Sequence, residues 1–134
     1  MLLYKTDVKK SKRKELGLGL FTKVKIKKGA KYWIRNEDFD KVFSMKKMNS
    51  LMPVAKEYIE TYGFQETARN WYLCSDNARF TNHSVTPNTA QHFDDQGHLQ
   101  YAYALKDIEI GEEIFCDYTK LCLTMDNGTP KEWK

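Results

Sequence analysis

Short apolar segments, separated by basic and glycine-containing turns, occupy the first third of this chain and predict β-strands. Leu2 to Val8, Leu20 to Ile26 and Lys31 to Ile34 have strand-like composition. The basic run Lys9 to Lys14 follows the first of these strands and predicts an exposed turn. Gly17-Leu18-Gly19 leads into the second strand, and two glycines around a single residue favour a tight turn with an accessible backbone.

The middle of the chain changes to a helical pattern. Its apolar residues recur every three to four positions, as on one face of a helix, and are Met45, Met48, Met52, Ala55, Ile59 and Tyr62. Ser44 is a suitable N-cap, and Gly63 is a suitable end. Because Pro53 has no backbone N–H to donate, the sequence predicts two short helices or one bent helix. The methionines are expected to contribute to the core.

The last third of the chain returns to strand patterns. Trp71 to Cys74 predicts one strand, and Thr89 to Phe93 predicts a hairpin with His98 to Leu105 across Asp94 to Gly97. The second hairpin strand is predicted to be a half-buried strand, because Leu99, Tyr101, Tyr103 and Leu105 alternate with Gln100, Ala102 and Ala104. Ile108 to Tyr118 adds a further strand with a glycine at its turn. Many short strands around a helical insert predict an α+β, mostly β domain.

Length and composition narrow the class of protein. The 134 residues fit one domain, and 30% charged residues are typical of a soluble surface. The apolar start Met1-Leu2-Leu3 is too short for a signal peptide or a membrane span, so we expect an intracellular, cytoplasmic protein with no membrane partner, a nuclear location being left open. Cys74, Cys116 and Cys122 lack the spacing of zinc or redox sites, so buried thiols and no metal site are expected.

Charge is distributed unevenly along the chain. Residues 1–50 contain 15 Lys+Arg and 5 Asp+Glu, a net charge of +10, whereas the remainder contains 7 and 13, a net charge of −6. The simplest interpretation is a solvated lysine-rich face. The alternative is that the basic half contacts nucleic acid, a chromatin-like partner or another polyanion, and that the acidic half contacts a cationic partner.

Three motifs together indicate a family. The segment Arg79 to Asn88 (RFTNHSVTPN) resembles the pattern RFxNHSxxPN of SET-domain protein lysine methyltransferases. Ile110 to Tyr118 (IGEEIFCDY) resembles the second signature of that family, in which GEE is followed by DY, and Gly17 to Phe21 (GLGLF) resembles its N-terminal signature. The motifs occur in the family's order and cover most of the chain.

The resemblance implies a single SET domain over residues 1–134, with core motifs at 16–118 and a short tail at 119–134. The implied fold is a β-clip of short curved sheets with a helical insert, in which Asn82 to Ser84 threads through a C-terminal loop as a pseudoknot. The implied function is S-adenosylmethionine-dependent methylation of a lysine in a basic protein or peptide. The alternative is a binding module of the same fold that contacts nucleic acid or another polyanion without turnover.

The resemblance also implies roles for individual residues. Contacts with S-adenosylmethionine are implied for the backbone of Gly17, Leu18, Gly19 and His83 and for the side chain of Asn82. Tyr118 matches the tyrosine whose hydroxyl lies where the donor methyl and the acceptor nitrogen meet. Phe115 and Cys116 are implied to line the substrate channel. Cys116 stands where many relatives have an aromatic residue that limits the number of methyl groups added, and a smaller side chain leaves more room.

The chain departs from the family pattern after the core motifs. It lacks the cysteine-rich segment that in many members binds zinc and closes the lysine channel, so the tail, a partner or a second subunit is expected to cover the channel. Candidates within the tail are Leu121, Leu123 and Trp133. Arg79 and Phe80 are expected to support the fold, with the arginine beside Asp117 or Glu113. The substrate protein, the number of methyl groups and the oligomeric state stay open.

Overall fold

The computed structural model describes residues 1–121, and strands form most of the regular structure in that range. The strands are β1 (Thr6–Lys10), β2 (Leu18–Thr22), β3 (Lys31–Ile34), β4 (Lys41–Ser44), β5 (Phe64–Thr67), β6 (Asn70–Leu73), β7 (Asn82–His83), β8 (Thr89–Phe93), β9 (Leu99–Ala104) and β10 (Glu113–Cys116). Two helices, α1 (Met45–Ser50) and α2 (Pro53–Tyr62), lie between β4 and β5. The expected α+β, mostly β architecture with a helical insert is confirmed.

The strands form three small sheets. Their orders are β1-β2-β10-β7, β3-β9-β8 and β4-β6-β5. Neighbouring strands are antiparallel except for β10 and β7, which run parallel with Phe115 beside Asn82 and Cys116 beside His83. Parallel neighbours cannot be joined by a tight turn, and here the β8–β9 hairpin lies between them in the chain. This long connection brings the Asn-His segment beside a strand that follows it by about 30 residues.

The helical insert follows the sequence prediction at its ends. The Ser44 hydroxyl accepts a hydrogen bond from the Lys47 backbone at 3.1 Å, as an N-cap does. Pro53 begins α2, and the Gly63 backbone N–H donates to the Ile59 carbonyl at 2.7 Å.

The methionines of the insert divide between core and surface. Met48 is buried, whereas Met52 is 75% exposed, so the expectation of a buried methionine stripe is wrong for Met52. Met52 is the N-cap of α2 and lies outside both helices. Because Pro53 restarts the helix, the apolar face predicted for one continuous helix does not extend across the break.

Tertiary pairing moved the bounds of the first two strands. Lys9 and Lys10 belong to β1 rather than to an exposed turn, because Lys10 pairs with Leu18 across the sheet. The basic run turns only after them, and Lys14–Leu16 forms one turn of 3₁₀ helix. β2 ends at Thr22, where the side-chain hydroxyl donates to the Val24 carbonyl at 2.6 Å and bends the chain.

The β8–β9 hairpin is confirmed, and the buried positions of β9 come from both sets of alternating residues. Leu99 is buried as expected, whereas Ala102 and Ala104 occupy the core and Tyr101 and Tyr103 are half-buried on the outer face. Small alanines allow the sheet to pack closely on the aromatic core. The tyrosines instead pack at the surface, where the Lys31 ammonium lies 3.9 Å from the centroid of the Tyr101 ring.

The main core lies among β2, β3, β6, β9 and β10. Its buried side chains include Leu20, Ile26, Trp33, Tyr72, Ile108 and Ile114. A second, smaller cluster joins the helices to the third sheet through Met48, Ile59 and Trp71. The strands β4 and β5 of that sheet were not predicted, because their apolar residues are few and partly exposed.

The cysteines bear out part of the expectation. Cys74 and Cys116 are buried free thiols, and Cys122 lies outside the described residues. Burial raises the pKa of both described thiols, so they stay protonated near neutral pH. Across residues 1–121, His, Cys, Asp and Glu side chains form no group of three or more that could hold a metal ion. A membrane-spanning helix would need a longer and more apolar segment than any helix of this range provides.

Candidate functional site

The three sequence motifs meet around strand β10. Glu113 and Ile114 of β10 pair with Phe21 and Leu20, which follow the glycine motif. On its other side, β10 pairs with the Asn82–His83 strand. Tyr118 follows β10 in a short 3₁₀ turn. The structure therefore brings the predicted site residues of all three motifs together.

The glycine motif forms a turn that the neighbouring chain holds in place. Gly17 has a φ of +60°, a left-handed conformation that side chains other than glycine rarely adopt. Its carbonyl accepts a hydrogen bond of 2.7 Å from the Ser11 backbone. The side chain of Leu18 is exposed, and its carbonyl accepts a hydrogen bond of 2.8 Å from the Asn82 amide. The turn is thus exposed at Gly17 and Leu18, while hydrogen bonds to the carbonyls of the same two residues hold it in place.

Asn82 is the most deeply buried polar residue of the site. It is 0% exposed, and its amide nitrogen donates to the Leu18 carbonyl and, at 3.1 Å, to a carboxylate oxygen of Glu113. The side-chain oxygen of Asn82 is buried and has no hydrogen-bond partner among residues 1–121. Buried polar atoms are nearly always hydrogen-bonded, so an acceptor left without a partner indicates a position where a ligand donor can bind.

His83 connects the Asn-His strand to Tyr118. Its ring nitrogen Nδ1 lies 3.0 Å from the Tyr118 backbone nitrogen and accepts its hydrogen, so the proton of the neutral ring is on Nε2. Burial lowers the pKa of His83, and the nearby Arg13 lowers it further, while Asp117 opposes the shift. The His83 carbonyl accepts a hydrogen bond of 3.1 Å from the Arg13 guanidinium. His83 is therefore neutral at neutral pH and fixes the start of the tyrosine turn.

This environment predicts a loss of stability on acidification. The folded-state pKa of His83 is lowered from its ordinary 6.5, so the unfolded chain takes up the proton first as the pH falls. Stability is fully present above about pH 6.5 and decreases below it. Thermal unfolding measured at about pH 7.5 and about pH 5.5 should show a lower midpoint at the acidic pH. In His83→Asn, which retains His92 and His98, this difference should be smaller; an equal difference would assign the effect to other groups.

Tyr118 is a buried tyrosine whose hydroxyl and backbone nitrogen are both hydrogen-bonded. It is 7% exposed, its hydroxyl donates to the Thr81 carbonyl, and its backbone nitrogen donates to His83. Its ring lies 5.3 Å from the His83 ring, measured between centroids. Thr81 immediately precedes Asn82, so the phenol is oriented by the motif that also supplies the buried amide.

Two residues that the sequence did not single out for the site hold β10 in register. The side chain of Asn88 donates to the Glu113 carbonyl and accepts from the Phe115 nitrogen, both at 2.8 Å. The Thr89 hydroxyl donates to the Phe115 carbonyl at 2.7 Å. Asn88 is the last residue of the Arg79–Asn88 motif, and this position was the sequence signal that could have identified it. Thr89 lies outside the motif, so no sequence signal of this kind pointed to it.

The residues predicted to line a substrate channel differ in burial. Phe115 is half-buried, while Cys116 is 2% exposed and belongs to the interior beside the core. Their assignment to a channel stays a prediction. Leu121 packs against the main core, and the other two candidates for closing the channel, Leu123 and Trp133, lie outside the described residues.

The expected position of Arg79 is wrong. Its guanidinium donates to the Asp76 carbonyl and to the Tyr58 hydroxyl, not to Asp117 or Glu113. Asp117 instead accepts from the Thr119 backbone at 3.0 Å and caps the tyrosine turn. Arg79 still supports the fold, because it joins the segment before Asn82 to α2. Phe80 packs edge-on against Tyr62 of the same helix, as a supporting role requires.

Comparisons with known proteins bear on this site. The SET domain family model matches residues 17–119, from the glycine motif to the turn after Tyr118. No curated protein matches the sequence. The Polycomb Repressive Complex 2 of Chaetomium thermophilum bound to GSK126 has a TM-score of 0.68 and 19% identity, over 90% of this chain and 16% of that chain. The same complex in an autoinhibited conformation bound to S-adenosylmethionine has a TM-score of 0.65 and 19% identity, over the same shares of the two chains.

A candidate histone methyltransferase of Plasmodium falciparum is similar over nearly its whole length. Its TM-score is 0.55 and its identity 23%, over 85% of this chain and 92% of that chain. This chain spans only about 16% of the Polycomb chains. At these identities the structures show the fold, whereas the family model covers well over half of the chain. The chain therefore belongs to the SET domain family.

Proposed function

We propose that the protein transfers a methyl group from S-adenosylmethionine to the side chain of a lysine in a protein substrate. The observation that carries this proposal is the meeting of the glycine turn, Asn82 and Tyr118 around β10. Two similar structures support it, since one contains S-adenosylmethionine and another comes from a candidate histone methyltransferase.

The described residues fit S-adenosylmethionine. Its ammonium and amino groups are hydrogen-bond donors, and the buried oxygen of Asn82 is an acceptor without a partner among residues 1–121. The exposed tip of the glycine turn, Gly17 and Leu18, offers backbone beside the Asn82 side chain, and the backbone of Gly19 and His83 would complete the set. When bound, S-adenosylmethionine supplies an activated methyl group.

Tyr118 is the proposed catalytic residue. Its hydroxyl is held by the Thr81 carbonyl in a largely buried position, where a preorganised dipole stabilises charge redistribution more than it would in water. The largest contribution is expected from alignment of the two reactants, which can lower a barrier by roughly 7–11 kcal/mol. Burial beside a cation lowers the pKa of a substrate lysine, so its proton leaves before transfer without a dedicated protein base.

A basic protein segment is the proposed substrate class. The second half of the chain, which supplies Asn82, Glu113 and Tyr118, carries a net charge of −6. Opposite charge speeds association and favours the matching partner. The experiment that tests the function is incubation with S-adenosylmethionine labelled in its methyl group and a cell lysate, followed by mass spectrometry of the modified residues. Labelled methyl-lysine that forms only when the active protein is present supports the proposal. Label in other residues, or no label at all, contradicts it.

Removal of the Asn82 side chain should weaken donor binding. Asn82→Ala removes the buried acceptor, and loss of such a hydrogen bond is worth about 1–3 kcal/mol. Isothermal titration calorimetry of the folded variant with S-adenosylmethionine measures the difference. Asn77→Ala is a matched control, because Asn77 is a half-buried asparagine of the same segment that bonds to Thr6 instead. Equal affinity in Asn82→Ala and the wild type would contradict a role in the donor site.

A second candidate function is binding of a polyanion without turnover. It is favoured by the exposed lysines of β1 and the turn after it, namely Lys9, Lys10, Lys12 and Lys14, which form no ion pair with any residue of the range 1–121. Such a surface predicts binding of nucleic acid that weakens steeply as salt increases. Binding of this kind with no heat of donor binding and no labelled lysine would favour this candidate.

A further inference from the structure

Glu113 is a buried carboxylate that lies between two parts of the candidate site. It is 4% exposed on β10, and no lysine or arginine within the described part of the chain forms an ion pair with it. Its partners are neutral donors. The Ser11 hydroxyl lies 2.8 and 2.9 Å from its two oxygens, and the Lys12 backbone nitrogen lies 3.1 Å from one of them. A buried carboxylate without a cation is unfavourable, so a function for this one is expected.

The second partner of the carboxylate is the Asn82 amide. The Asn82 nitrogen donates one hydrogen to the Leu18 carbonyl at 2.8 Å and the other to Glu113 at 3.1 Å. Both amide hydrogens are therefore used. If the amide rotated by half a turn, its oxygen would face the Leu18 carbonyl and the Glu113 carboxylate, two acceptors without a hydrogen between them. Glu113 and the Leu18 carbonyl together thus exclude the rotated state and leave the Asn82 oxygen directed away from both acceptors.

We propose that Glu113 is a positioning residue of the methyl-donor site: it fixes the Asn82 amide so that the buried side-chain oxygen of Asn82 stays available to a donor group of S-adenosylmethionine. The proposal rests on the function proposed above. Through Ser11 and Lys12 the same carboxylate holds the segment that leads into the glycine turn. One side chain therefore sets the relative position of the two parts that would bind the donor.

The experiment combines donor affinity with a double-mutant cycle. Glu113→Met fills the space of the carboxylate but accepts no strong hydrogen bond, and it should weaken S-adenosylmethionine binding about tenfold or more. In an Asn82→Ala background the same substitution should weaken binding clearly less, because the part of its effect that acts through Asn82 is already lost. A purely structural role would weaken binding equally in both backgrounds and would overturn the proposal. The control is Glu112→Gln, which should bind like the wild type, because Glu112 is a neighbouring half-buried glutamate whose hydrogen bonds are made by its backbone.

A second measurement needs no donor. In the wild type, the side-chain amide hydrogens of Asn82 should exchange slowly with water in ¹⁵N-edited NMR spectra, and in Glu113→Met they should exchange faster. Unchanged exchange overturns the proposal. Wild-type protein that binds no donor contradicts the proposed function, whereas donor binding that is equal in wild type and variant contradicts only the role of Glu113. If Glu113→Met does not fold, Glu113→Ala, which admits water to Ser11 and Lys12, is measured in the same way.

Discussion

Replacement of Tyr118 by phenylalanine is expected to lower the rate of methyl transfer about 100-fold or more while S-adenosylmethionine affinity stays close to that of the wild type. The substitution removes one hydroxyl, which the Thr81 carbonyl holds in place, and keeps the ring beside His83. An interaction that matters chiefly in the transition state lowers kcat without changing donor binding. Single-turnover kinetics with labelled donor and calorimetry on the same sample separate the two quantities.

The control for this prediction is Tyr32→Phe. Tyr32 is also buried, and its hydroxyl makes a long hydrogen bond of 3.4 Å with Thr89. The control removes a buried hydroxyl that makes no hydrogen bond to Thr81, Asn82 or His83, so its kcat should stay within about threefold of the wild type. Each variant should lose about 1 kcal/mol of stability. If Tyr118→Phe retained full turnover, or if both variants lost turnover equally, Tyr118 would not be the catalytic residue.

Gly19→Ala is expected to destabilise the fold by about 3 kcal/mol, the upper end of the usual cost of overpacking. A Cβ at this position would lie 2.8 Å from Cδ of Glu113 and closer still to its Oε2. It would also lie 3.2 Å from the Asn82 amide nitrogen. The carboxylate cannot move away cheaply, because Ser11 and Lys12 hold it from the other side. Urea unfolding followed by circular dichroism measures the loss.

Gly17→Ala distinguishes a steric effect from a backbone effect. Nothing lies within 4 Å of a Cβ added at Gly17, but its φ of +60° is unfavourable for alanine. Its ψ of −121° lies outside the left-handed helical region, so the expected loss is about 1–3 kcal/mol. Urea unfolding that shows no loss of stability for Gly19→Ala would contradict the close packing of Glu113 against Gly19.

These two glycines also separate what a motif indicates from what its residues do. The sequence identified Gly17 and Gly19 as one turn with an accessible backbone. In the structure, the conformation of Gly17 agrees with that interpretation, while Gly19 is buried and is glycine because a carboxylate from residue 113 occupies the space beside it. No local pattern contains this second reason, since the two residues are 94 positions apart in the chain.

Local signals were sufficient where local contacts decide the structure. The capping hydroxyl of Ser44, the missing donor of Pro53 and the turn at Gly63 act within a few residues, so both helices of the insert were predictable. The β8–β9 hairpin was predictable for the same reason. The three ordered motifs also identified Asn82, His83 and Tyr118 as candidates, because their spacing is specific even without a fold.

The tertiary structure decided what depends on partners that are distant in sequence. Pairing with β2 placed Lys9 and Lys10 in a strand, and packing against the aromatic core placed Ala102 and Ala104 inside β9. It also gave Arg79 different partners from those expected. The amide of Asn82 obtained its orientation from Leu18 and Glu113, which adjoin it only because β10 lies between β2 and β7. The sequence by itself determined the motifs and the local elements. Long-range strand pairing determined which side chains face each other, because the register of a strand sets the direction of its side chains.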